Sequence, residues 1–81
     1  MKLPRNLTGA QIIKALELLG YQATRQAGSH VRLTCPHPKE HHITVPLHDP
    51  LRIGTLASIL ADVATHHGMT RDGLIQKIFG K

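Results

Sequence analysis

Residues 30–35 read His-Val-Arg-Leu-Thr-Cys, a stretch in which polar and apolar side chains alternate. A period of two places successive side chains on opposite faces of a β-strand. Val31, Leu33 and Cys35 therefore share a face that can enter a core. The segment predicts a half-buried strand with one polar face. That polar face carries His30, Arg32 and Thr34.

Two further strands are predicted around this one. Residues 21–26 precede it across an Ala-Gly-Ser turn at 27–29, which is typical of a hairpin. Residues 36–41 contain two prolines and are expected to be a loop. Alternation resumes over residues 42–45 before a proline ends the strand. The outward side chains of this last strand are His42 and Thr44.

Helices are predicted on both sides of the strands. Thr8 and Gln11 form a capping box at the start of a first helix over residues 9–19. Thr55 is the expected N-cap of a second helix, and Thr70 begins a short third one. Each of the first two helices has a single apolar stripe. We therefore expect an α+β fold of order α-β-β-β-α with a short C-terminal helix, in two layers, with one sheet face left open.

Composition limits the range of functions. The 81 residues fit a single domain spanning 1–81, and ten Lys and Arg against five Asp and Glu give a net charge of +5. Such a basic small protein is expected to meet a polyanion, with nucleic acid the favoured class. One Tyr, one Phe and no Trp are too few for the base-stacking surfaces of the usual single-strand RNA modules.

The cysteine count, the N-terminal residues and the apolar runs of the sequence predict the localisation. Cys35 is the single cysteine and cannot form an internal disulfide, and residues 1–7 look like a short lead-in without a signal-peptide pattern. A reducing, cytoplasmic environment is expected. Since no apolar run approaches about 18 residues, no membrane association is expected.

The segment Gly28-Ser29-His30 is the strongest candidate for chemistry. A histidine that leads a strand after a turn stands near the sheet edge, where a large substrate can reach it. Its ordinary pKa near neutrality allows it to take and return a proton. With Arg25 and Arg32 nearby, it could promote attack on phosphate by the RNA's own 2′-hydroxyl, a reaction that requires no metal or other cofactor. The alternative is an exposed histidine on a basic face without a catalytic role.

Other histidines have weaker signals. Residues 35–42 carry the pattern C-x-H-x3-H-H, which could bind zinc, although solvated loop histidines are the favoured interpretation. His48 either reaches the open face or lies in a surface turn, the second being favoured. His66 and His67, in the last turn of the second helix, suit its dipole when protonated. The possible zinc ligands are Cys35, His37, His41 and His42.

With these residues in view, the sequence resembles the HicA family of bacterial and archaeal toxins, the messenger-RNA interferases, over roughly residues 8 to 75. Three segments carry the resemblance together in this order and spacing. They are Arg-Gln-Ala-Gly-Ser-His at 25–30, Ile-Thr-Val-Pro-Leu-His at 43–48, and Gly-Thr-Leu at 54–56 followed by Ile-Leu at 59–60.

The resemblance implies a fold like the double-stranded-RNA-binding domain and endoribonuclease activity on messenger RNA. The family's essential histidine falls on His30. A HicB-type antitoxin would bind the chain and cover its active face, and no contact with DNA by this chain alone is expected. In this interpretation Gly28 and Ser29 shape the approach to the histidine. The expected phosphate contacts are Arg25, Arg32, Lys39 and Arg52.

The chain departs from the family pattern at two places. Many relatives carry a second histidine directly after Gly-Ser-His, where this chain has Val31. A basic residue common after Ile-Leu of the second helix is replaced by Ala61-Asp62, which thins the positive surface. Two other functions stay open: a non-catalytic RNA-binding module of the same fold, and a protein whose main role is docking to another polypeptide.

Overall fold

Residues 6–80 form a three-stranded antiparallel sheet and three α-helices in the order α-β-β-β-α-α. The computed structural model describes residues 6–80, so residues 1–5 of the predicted lead-in lie outside the described part. This α+β arrangement is the one expected from the sequence. The elements are α1 (Gly9–Leu16, extended by a 3-10 turn over Glu17–Leu19), β1 (Gln22–Ala27), β2 (His30–Cys35), β3 (His41–Pro46), α2 (Ile53–His66) and α3 (Arg71–Phe79).

The central strand is β2, which pairs with β1 on one side and β3 on the other. The register places Val31 opposite Val45 and Leu33 opposite Ile43, and all four side chains are buried. Alternation therefore separates the faces of β2 and β3 as predicted. The strand β3 starts one residue earlier than expected, because His41 pairs with Cys35.

The first strand is less covered than the other two. Every residue of β1 is exposed, including Ala23 and Gln26, which lie opposite the buried Leu33 and Val31. The register shifts between Ala23 and Arg25, which marks a bulge. The helices thus cover β2 and β3 but not β1, and a bulged strand with an arginine is a poor template for pairing with another chain's edge.

Capping explains two of the three helix starts. The capping box at Thr8 and Gln11 is formed, and the Thr70 hydroxyl accepts a hydrogen bond from the amide of Gly73, as predicted. The predicted cap at Thr55 is wrong, because α2 starts earlier, with Arg52 as N-cap and without a side-chain cap. Leu51 is buried, so the chain turns into the helix directly after this anchor.

The core lies between the inner face of β2 and β3 and the helices. Among residues 6–80, the buried core is aliphatic except for the completely buried ring of Tyr21 and the thiol of Cys35. The fully buried side chains are Tyr21, Ile12, Leu16, Leu33, Leu56, Leu60, Leu74, Val45, Val63 and Cys35.

None of the helices within residues 6–80 is long and apolar enough to cross a membrane.

Candidate functional site

The open sheet face begins at His30, the first residue of β2. A two-residue turn separates it from β1, and Gly28 in that turn has φ +58°, a left-handed conformation that favours glycine. The residues opposite His30 are Ala27 on β1 and Pro46 on β3, neither of which is ionisable. The exposed imidazole is therefore flanked by small or apolar neighbours, which leave it accessible to a ligand.

Two arginines share the open face with His30. Arg32 follows His30 by two residues on β2, and Arg25 lies directly opposite Arg32 on β1. Side chains of opposed residues point to the same face, with Cβ atoms about 4.5–5.5 Å apart. Like charges at such positions destabilise a sheet. The register thus places two exposed arginines opposite each other on the same sheet face as His30, two positions along β2 from it.

A second imidazole lies beside the first. The rings of His30 and His48 approach to a centroid distance of 6.5 Å at an interplanar angle of 72°, and both residues are exposed. The favoured sequence interpretation of His48, a residue that lies only in a turn, is wrong in this respect. The sequence did contain the Val-Pro-x-His segment but no local pattern that fixes where its histidine points.

Backbone hydrogen bonds hold the segment that carries His48. The amide of Leu47 donates to the carbonyl of Ser29 at 2.6 Å, and the amide of Gly9 donates to the carbonyl of His48 at 2.9 Å. Gly9 packs so closely on this segment that a Cβ would lie 2.0 Å from the Pro46 carbonyl oxygen. The N-terminus of α1 therefore fixes the chain around His48 relative to the turn before His30.

On the half of the open face farther from His30, polar side chains are hydrogen-bonded to one another across the strands. The hydroxyls of Thr24 and Thr34 lie 2.9 Å apart, and the Thr34 hydroxyl lies 2.8 Å from Nδ1 of His42. The Nε2 of His42 is 3.4 Å from a carboxylate oxygen of Glu40. The side chains on this half of the face are already engaged, whereas those around His30 face solvent.

The remaining predicted phosphate contacts lie at different distances from His30. Lys39 is in the loop at the opposite end of β2, and five residues of strand separate the two ends by about 16 Å. Arg52 is exposed at the start of α2, four residues after His48. The structure thus groups Arg25 and Arg32 with His30, and it leaves Lys39 remote.

A shallow groove runs between β3 and α2. It is lined by Arg32 and Thr44 from the open face and by Ser58 and Asp62 from the helix, among others. Asp62 thus brings a carboxylate into the groove that Arg32 also lines.

A cluster of histidines surrounds the buried Tyr21 at the other end of the sheet. The tyrosine hydroxyl lies 2.7 Å from Nδ1 of His41 and 3.2 Å from Nε2 of His67. The ring of His66 stacks on that of His41 at 4.1 Å and 13°. The sequence interpretation of solvated loop histidines does not hold for His41, and only the folded chain brings these residues together.

When the histidine rings are neutral, the donor and the acceptor of each hydrogen bond in this cluster can be assigned in one consistent way. The carboxylate of Asp62 can only accept, so Nε2–H of His41 donates to it at 3.2 Å. The Nδ1 of His41 then accepts from the Tyr21 hydroxyl, whose oxygen accepts from Nε2–H of His67. The Nε2–H of His66 likewise donates to the carbonyl of Lys39 at 2.9 Å.

Burial opposes charge in this cluster. The pKa of His67 is lowered, first by burial and then by the neighbouring His66 and His41. Burial likewise raises the pKa of Tyr21. Burial and the two neighbouring imidazoles therefore disfavour the protonated form of His67, the form that would suit the helix dipole.

The side chains of the C-x-H-x3-H-H pattern point to different partners. The buried Cys35 thiol donates to the carbonyls of Leu19 and His37. His41 turns toward Tyr21, and His42 toward Thr34. Within residues 6–80, no three side chains of metal-binding type converge on one point.

Comparison with known proteins gives one clear result. The family model described as the HicA toxin of bacterial toxin-antitoxin matches residues 9–64, which is more than half of the chain. Neither the curated proteins nor the solved structures gave a significant match. The matched range includes α1, the whole sheet with His30 and His48, and most of α2. The chain therefore belongs to the HicA family of toxins of bacterial toxin–antitoxin systems.

Proposed function

We propose that this toxin is an endoribonuclease that cleaves messenger RNA without a metal ion, with His30 as its catalytic proton-transfer group. The observation that carries the proposal is the exposed imidazole of His30 on the open sheet face beside two arginines. Membership of the HicA family supports a toxin role, and the basic face supports a polyanionic substrate.

The chemistry follows from what RNA itself supplies. The 2′-hydroxyl is the nucleophile, so the protein must remove its proton and stabilise charge on the phosphate. A positioned histidine contributes about 10²–10⁴-fold through proton transfer. Guanidinium groups aimed at the phosphate stabilise the developing charge. A slow enzyme of this kind is still toxic, because each cut inactivates a whole message.

The arginine pairing supports phosphate binding at this place. Arg25 and Arg32 face each other without an intervening acid in the register of the sheet, which costs stability in the free protein. A phosphate between them would replace this repulsion by charge-assisted hydrogen bonds. Gly28 and Ser29 shape the turn over which the RNA approaches, Arg52 extends the surface, and Lys39 is a peripheral contact.

A HicB-type antitoxin is the proposed protein partner. An inhibitor that covers the open face should bring acidic groups to the two arginines and block access to His30. Capture of the partner followed by a ribonuclease assay of the complex tests this. Binding that leaves the cleavage rate unchanged would contradict an antitoxin that covers the active face.

The proposal is tested by incubating the purified protein with RNA in EDTA. Fragments are expected, together with binding that weakens steeply as salt rises, because phosphate contacts release counterions. RNA that is shifted but intact would instead indicate a non-catalytic RNA-binding module. A complex insensitive to salt would contradict the role of the basic face.

A further inference from the structure

A single histidine accounts for only one of the two proton transfers in the proposed reaction. The contact between His30 and His48 brings in a second imidazole that can carry out the other transfer. Cleavage by the 2′-hydroxyl requires a base for the attacking oxygen and an acid for the leaving oxygen. The two rings lie 6.5 Å apart between centroids, in an edge-to-face arrangement, and both residues are exposed. One phosphate lying over the pair can hydrogen-bond to both.

The position of the second ring is built into the fold. Leu47, directly before His48, is bonded to Ser29, directly before His30. The carbonyl of His48 accepts the amide of Gly9, where α1 contacts the strand end without room for a side chain. Backbone contacts on both sides thus hold the segments that carry the two histidines next to each other, as a site requires of groups that act together.

We infer that His48 is the general acid of the RNA-cleaving site and His30 its base. This inference rests on the ribonuclease function proposed above and adds a catalytic residue to it. His30 takes the proton of the 2′-hydroxyl as the 2′-oxygen forms a bond to phosphorus. His48 gives a proton to the 5′-oxygen as its bond to phosphorus breaks. The products are a 2′,3′-cyclic phosphate and a 5′-hydroxyl, and proton exchange with water restores both rings.

The test compares two substrates that differ in the leaving group. One is an RNA oligonucleotide with a single site cleaved by the wild type, and the other carries sulfur in place of the bridging 5′-oxygen at that site. A thiol has an ordinary pKa of about 8.5, so the sulfur leaves without a proton. The variants are His48→Ala and His30→Ala, with His37→Ala as control, an exposed histidine at the opposite end of the sheet.

On the oxygen substrate, His48→Ala should lose about 10²–10⁴-fold in cleavage rate. On the sulfur substrate, most of this loss should disappear for His48→Ala and persist for His30→Ala. Circular dichroism should stay native, because the hydrogen bonds that hold this segment are made by the backbone.

The outcomes distinguish failure of the His48 assignment from failure of the proposed ribonuclease function. A wild type that leaves both substrates intact would end the ribonuclease proposal and this inference with it. If the wild type cleaves and His48→Ala matches it on RNA, only the role of His48 fails. Equal loss on both substrates, or rescue of His30→Ala instead, would overturn the assignment of His48 as the acid.

Discussion

The hydroxyl of Tyr21 donates to Nδ1 of His41 at 2.7 Å from a ring that is completely buried. The same oxygen accepts from His67 at 3.2 Å, so one side chain joins β3 to the end of α2. These contacts satisfy the hydrogen bonding of the tyrosine hydroxyl at the end of the sheet opposite His30. We therefore expect substitutions at this end to change stability without changing the chemistry proposed at His30.

The variant Tyr21→Phe should be folded but less stable by about 1 kcal/mol, since the ring is kept while two hydrogen bonds to histidines are lost. Urea unfolding of both proteins measures the difference. RNA cleavage should be unaffected below the unfolding transition. An unchanged urea midpoint would show that the hydroxyl contributes nothing to the fold.

The stability of the protein should fall as the solution becomes acidic through the titration of His67. Folding lowers the pKa of this residue below its ordinary 6.5, so the unfolded chain binds the proton more readily than the folded one. The stabilisation by neutral His67 is complete above about pH 6.5 and is lost as the pH falls through the lowered folded pKa.

The measurement is the free energy of unfolding from urea titrations at a series of pH values between about 7.5 and 5, taken at roughly unit steps. The variant His67→Gln keeps a donor and should show a shallower fall than the wild type. The control His37→Gln, at an exposed loop position, should keep the wild-type slope. Identical slopes for wild type and His67→Gln would refute the prediction.

Gly9 should not tolerate even one added methyl group. A Cβ there would lie 2.0 Å from the Pro46 oxygen and 2.9 Å from Cα of Leu47, and both atoms belong to backbone. We expect Gly9→Ala to destabilise the fold by about 1–3 kcal/mol, as overpacking does. The loss should extend to activity, because this contact sets the position of His48.

Gly54 is the matched control, since it also lies in the first turn of a helix but has open space within 4 Å of the position that a Cβ would take. Gly54→Ala should raise stability by up to about 1 kcal/mol, because alanine has the higher helix propensity. Equal urea midpoints for the two variants would contradict the close approach at Gly9.

Arg32 should affect RNA binding and stability in opposite directions. Arg32→Gln removes a proposed phosphate contact, so binding should weaken and its salt slope should fall by about one. It also removes the repulsion from Arg25, so the urea midpoint should rise slightly. Fluorescence anisotropy with a short RNA at several salt concentrations measures the first effect.

Lys39→Gln removes the same charge in the loop beyond the opposite end of β2 from His30 and controls for net charge. It should weaken RNA binding less than Arg32→Gln does. If both variants lose the same affinity, the protein binds RNA through its overall charge rather than at the histidine end of the sheet.

The elements of the fold were predictable because their signals are local. Alternation in residues 30–35 separated core from open face, and the capping residues Thr8 and Thr70 marked two helix starts. The start of α2 was mispredicted at Thr55, because the helix begins without a side-chain cap, directly after the buried Leu51. Burial of one leucine is a tertiary effect that local pattern does not reveal.

The candidate site was only half predictable for the same reason. His30, Arg25 and Arg32 lie within one hairpin, so their proximity could be predicted from sequence. The pairing of Arg25 with Arg32 was not predicted, because Ala27 belongs to β1 and not to the turn. His48 reaches them through an irregular segment held by α1, and His66 meets His41 only across the folded chain. Contacts between distant segments of this kind depend on packing and not on sequence spacing.

If the imidazole of His30 carries out the proposed proton transfer, its removal should slow RNA cleavage more than any other single change to the open face. The rate to measure is the first-order rate constant for cleavage of one defined RNA in EDTA by wild type, His30→Ala and the control His37→Ala. We expect a loss of about 10²–10⁴-fold for His30→Ala alone, with native circular dichroism. A His30→Ala protein that cleaves the RNA as fast as wild type would refute the proton-transfer role of His30.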